Sequence, residues 1–135
     1  MPAKLLLVLT PHRQFELWKL LEEKDYRVFS VAGLRDAQRE LTGPTSYDLL
    51  IADAELPDGS WRDILQSLLE SPEPCDMLVC SRCGDDELWA EVLQCGAYDL
   101  LVEPYTKQEV HRIIESALES KYIRRFLPLA LKAAS

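Results

Sequence analysis

DLLIADAELPDG, residues 48–59, sets the run Leu49, Leu50, Ile51 and Ala52 between two aspartates and closes on Pro57, Asp58 and Gly59. A short unbroken apolar run fits a strand covered on both faces, as in a parallel sheet; a half-exposed strand would alternate apolar with polar residues. The proline and glycine that follow are a loop signal. Working outward, KLLLVLT (4–10), residues 27–32, MLVCS (77–81) and residues 98–102 repeat the strand pattern.

Helical spacing fills the intervals. Leu17, Trp18, Leu20 and Leu21 predict a helix over 13–24, after a Pro11 suited to a helix start. Leu34, Ala37 and Leu41 predict one over 34–41, closed by Gly43 and Pro44. Ile64, Leu65, Leu68 and Leu69 predict a third over 61–70. A fourth spans 85–94, with acids in its first turn and Gly96 as its cap. The fifth runs from 107 to about 127 on Val110, Ile113, Ile114, Ala117 and Leu118, and Pro128 is expected to end or kink it. Five strands alternating with five helices predict a doubly wound α/β fold, a five-stranded parallel sheet between two helical layers. Sites in such folds lie at the carboxyl ends of the strands, here residues 9–13, 53–59, 81–85 and 103–105.

With 135 residues, 47% hydrophobic and 28% charged, the chain is expected to form one domain with a full core, over 1–122. Residues 123–135 read as an extension of the last helix or the start of a linker. A net charge of −8 argues against a broad grip on nucleic-acid phosphates. No 18-residue apolar run and no signal-peptide pattern appear, so no membrane association and a cytoplasmic location are expected.

At the strand ends the residues resemble the receiver domains of bacterial two-component response regulators, over about 4–120. Asp53 ends strand three before the Pro57–Gly59 turn, Ser81 ends strand four, and Glu103 and Pro104 end strand five 22 residues later. The phrase CGAYDLLVEPY is similar to the family throughout. The resemblance implies a flavodoxin-like three-layer fold and a signalling role in a phosphorelay, not an enzyme. It also implies partners such as a histidine kinase or an output domain, and an interaction face on the fourth helix, fifth strand and fifth helix. That face carries Trp89, Leu100 and His111 and offers a route to a homodimer.

The resemblance also shows what is missing. The family's acidic pair for Mg²⁺ falls on Leu9 and Thr10, its lysine on Glu103 and its aromatic switch residue on Leu100. Phosphoryl transfer to a carboxylate brings anion to anion and depends on cations, so a degenerate receiver with weakened or lost phosphorylation is expected, with no cofactor and a doubtful Mg²⁺ site. Asp53 is the candidate phosphoacceptor, or else an acid that caps a loop or pairs with Arg13. Glu103 reads as a solvated rim acid, His12 and Arg13 as substitute charges. Restoring charge at Leu9, Thr10 and Glu103 is expected to rebuild the site. A phosphorylatable receiver with substitute ligands is the alternative. From another class comes a redox or zinc protein using Cys80 and Cys83, although Cys80 lies in a buried-strand pattern where a thiol acts as a small apolar residue.

Overall fold

The computed structural model describes residues 2–82 and 84–134, with side chains through Ile123. Ten principal elements alternate: β1 (Ala3–Val8), α1 (Pro11–Leu21), β2 (Tyr26–Val31), α2 (Leu34–Thr42), β3 (Leu49–Asp53), α3 (Trp61–Leu69), β4 (Asp76–Ser81), α4 (Asp86–Gln94), β5 (Asp99–Val102) and α5 (Lys107–Ala134). The five strands form one parallel sheet in the order β2-β1-β3-β4-β5, the doubly wound order expected. A two-residue hairpin, Glu55–Leu56 against Gly59–Ser60, stands apart from it and was not foreseen.

Strand periodicity divides the core into two layers. Leu6, Val8, Leu50, Ala52, Met77, Val79 and Leu100 face α2, α3 and α4. Leu5, Leu7, Leu9, Leu49, Ile51, Leu78, Cys80 and Leu101 face α1 and α5. The apolar runs are continuous because both faces are covered. Local chemistry fixes the helix starts: α1 begins on Pro11, α3 on a reciprocal Ser60–Asp63 capping box and α4 on Asp85, whose carboxylate accepts from Leu88 N–H at 2.6 Å.

Several boundaries differ from expectation. β1 stops at Val8, so Leu9 and Thr10 form the turn into α1, and α1 starts two residues early because proline's missing N–H costs nothing at a first helical position. The last helix does not end at Pro128 but continues to Ala134, since a proline removes one backbone hydrogen bond from a helix of 28 residues.

Candidate functional site

Parallel strands place their carboxyl ends at one rim, where α1 also begins. Asp53 comes from the end of β3, Ser81 from the end of β4, Glu103 from just beyond β5, and Arg13 enters from the first turn of α1. The Arg13 guanidinium donates from Nη1 to Asp53 Oδ1, from Nη1 to the Cys80 carbonyl at 3.3 Å, and from Nε to Glu103 Oε1 at 2.9 Å. One planar cation thus binds the ends of three adjacent strands to a helix, which its fork of donors allows and an ammonium's point charge would not. The other Asp53 oxygen, Oδ2, accepts the Thr10 backbone N–H at 2.8 Å. Arg13 is 7% exposed and Asp53 3%, so the pair is shut off from bulk water.

A cation in the first turn of a helix opposes the helix dipole, and burial works to lower the Arg13 pKa. The charges of Asp53 and Glu103 outweigh burial and hold it above the ordinary arginine value. The cluster of two carboxylates and one guanidinium is compensated internally to within one charge. Gln14, which sequence reading passed over, closes the same corner: its amide donates to the carbonyls of Leu9 at 2.7 Å and Val31 at 2.9 Å, joining the ends of β1 and β2.

Several expectations need correction. Glu103 is not a freely solvated rim acid; its side chain is 28% exposed and paired with Arg13. Of the two substitute charges only Arg13 reaches the pocket, because His12 lies outside on α1, 3.1 Å from Glu16. Leu9 contributes no side chain to the pocket: it follows the odd-numbered parity of β1 into the α1–α5 layer and is fully buried. Leu100 is not part of an outer face but turns into the core against Val92 and Ala97. His111 sits on the far side of α5, its Nε2 2.6 Å from the Leu20 carbonyl of α1. Trp89 is half-exposed on α4, with its indole N–H 3.3 Å from Asp99. Pro104 follows Glu103 through a cis peptide bond. Cys80 is fully buried and burial pushes its thiol up to about 12, opposite to the low pKa of a reactive thiolate; Cys83 lies outside the described residues.

A 2-1-3-4-5 parallel sheet with an aspartate at the end of its central strand and a Ser81/Glu103–Pro104 rim defines a receiver fold. The chain matches the response regulator receiver domain family over residues 10–115 and belongs to it. Among its relatives, the response regulator protein PilR of Pseudomonas aeruginosa is 28% identical over 80 residues, which are 59% of this chain and 18% of PilR. The chain therefore spans less than a fifth of that relative. The signal receiver domain of a Luxo repressor protein from Vibrio parahaemolyticus superposes with a TM-score of 0.84 at 23% identity, covering 94% of this chain and 98% of that one. The receiver domain of sensor histidine kinase PA1611 from P. aeruginosa, with a magnesium ion coordinated in its active-site cleft, does so with a TM-score of 0.78 at 22% identity, covering 88% and 99%. This is a receiver domain of the kind response regulators use in phosphorelay signalling.

Proposed function

We propose that this receiver works as a protein-interaction module whose state does not depend on phosphorylation of Asp53. The observation that carries this reading is the ion-pair cluster: Arg13 occupies Asp53 Oδ1 and Thr10 N–H occupies Oδ2. An attacking carboxylate needs one oxygen open toward the donor and a cation shared with the incoming phosphoryl group. Here the cation is a side chain already committed to two carboxylates.

The residues present do not fit Mg²⁺. The ion prefers six oxygens in near-octahedral array, and the two carboxylates within reach, Asp53 and Glu103, both bind Arg13. Where the PA1611 receiver holds magnesium, this chain meets the same need for positive charge with a guanidinium. The module's contact surface, in this reading, is the exposed side of α4, where Trp89 and Leu93 stand 49% and 37% exposed, and its partner is a signalling protein such as a histidine kinase or an output domain. It acts by binding and not as an enzyme.

Calorimetric titration with Mg²⁺ tests the reading. The parent chain is expected to give no saturable heat, whereas Arg13→Ala, with two carboxylates freed of their cation, is expected to bind. Saturable binding by the parent that disappears in Asp53→Asn would overturn it.

A further inference from the structure

The opposite end of the sheet carries a second feature, which does not rest on the reading of Arg13. Helices α3 and α4 run against the strands and finish there, beside a groove of about 500 Å³. Its walls include Leu65, Leu69, Pro74 and Cys75, and Glu73 and Lys121 stand at its edge. Leu69 is 60% exposed on a helix that otherwise buries its apolar face through Trp61, Ile64, Leu65 and Leu68.

The groove is electronegative by construction. Neither α3 nor α4 has a basic residue in its last turn, so the negative ends of two helix dipoles meet there without side-chain compensation. Glu73 is exposed. The one lysine in the lining, Lys121, directs its ammonium elsewhere, to Asp48 at 3.0 Å and the Tyr47 carbonyl at 3.3 Å.

The chain also holds a segment of complementary character. Lys121, Arg124, Arg125 and Lys132 are four of the chain's 15 cationic residues, and all 23 acids precede Lys121. Residues 1–120 therefore carry 11 cations against 23 acids, a charge of −12, and residues 121–135 carry +4. This cationic segment opens with two exposed apolar side chains, Tyr122 at 64% and Ile123 at 46%. Its backbone continues α5 without a break to Ala134, about 20 Å beyond Lys121 at 1.5 Å per residue. A continuous helix cannot turn back into the groove beside Lys121.

We propose that the occupant of this groove is the end of α5 from a second copy of the chain. Two copies then exchange helix ends about a two-fold axis, each cationic helix lying against the partner's α3–α4 groove, with Ile123 against Leu69. A two-fold pair uses the same two patches twice, so every contact is satisfied and the assembly stops at two.

Sedimentation velocity on the full chain tests this. The parent should show a concentration-dependent dimer that weakens as salt is raised, because part of the attraction is between opposite charges. Leu69→Glu and Ile123→Glu, each confirmed folded by circular dichroism, should each weaken dimerisation at least about tenfold. Mixed together they should associate better than either alone, because the intact helix of the Leu69→Glu chain meets the intact groove of the Ile123→Glu chain. A monomeric parent at the highest attainable concentration would overturn the proposal. So would a dimer broken by Ile123→Glu and untouched by Leu69→Glu, which places the contact between two α5 helices, or a dimer broken only by Trp89→Glu, which places it on α4.

Discussion

At the scale of one side chain, Arg13 holds the site together. Removing one member of a buried ionic cluster leaves the others charged and unpaired, so Arg13→Ala is expected to lose about 3 to 5 kcal/mol in urea unfolding at neutral pH. Arg13→Lys is expected to recover only part of this, since an ammonium cannot reach Asp53, Glu103 and the Cys80 carbonyl in one plane. A loss under about 1 kcal/mol for Arg13→Ala would mean that the pairing behaves as a surface ion pair. The site was legible in part. The missing acids and lysine could be read from Leu9, Thr10 and Glu103, and Arg13 stood out as a substitute charge. That Glu103 would turn inward was not legible, because its partner lies 90 residues earlier and no periodicity links them. The fate of Leu9 was legible in hindsight from parity: as the third of Leu5, Leu7 and Leu9 it continues an inward-facing row. Restoring acids at Leu9 and Thr10 with a lysine at 103 is therefore not a change of rim charge alone. Leu9→Asp buries a carboxylate in the α1–α5 layer, and Arg13 still pairs with Asp53, so the triple variant is expected to unfold at markedly lower urea than the parent and to bind no Mg²⁺.

The elements themselves follow from short-range chemistry, which is why their order and type could be read while their ends shifted, by one to three residues except at the end of α5, which runs on to Ala134. Gly96 is a case where the sequence signal and the backbone agree. It ends the turn after α4 at φ +104°, a conformation that favours glycine, and a Cβ there would meet nothing within 4 Å. Gly96→Ala is thus expected to cost about 1 to 2 kcal/mol through backbone conformation alone, with no change in packing, as measured by urea unfolding. The junction of β3 with α5 makes a pH-dependent contribution. Burial raises the Asp48 pKa, but the Lys4 N–H at 2.8 Å and the Lys121 ammonium at 3.0 Å outweigh it, leaving Asp48 below its ordinary 3.8. A carboxyl with a lowered folded pKa adds stability that is fully present above its unfolded value and is lost as pH falls through its folded one. Asp48→Asn should therefore lower stability at neutral pH and flatten the acid limb of the stability curve. An unchanged acid limb would show that Asp48 titrates alike in folded and unfolded chains.

Taken as a whole molecule, the fold was readable because binary patterning and element alternation leave few alternatives: unbroken apolar strands require covered faces, and five of them joined by helices require a parallel, doubly wound sheet. The exchange of chemistry within that frame was less readable, since it depends on which side chains converge at one rim. No described helix is long and apolar enough to cross a membrane, and the features that distinguish this receiver lie at the two ends of its sheet. At one end an internal cation stands beside Asp53; at the other a cationic helix leaves an anionic body. On the proposed reading, the first makes the domain's state independent of a phosphoryl group. The most direct test is intact-mass spectrometry of the folded chain after incubation with a small acyl-phosphate donor and Mg²⁺, beside Asp53→Asn as the blank and an ordinary receiver as the positive control. That the parent, like the blank, gains no phosphoryl mass while the control is labelled is the expected result. Phosphorylation of the parent to high occupancy, absent in Asp53→Asn, would contradict it.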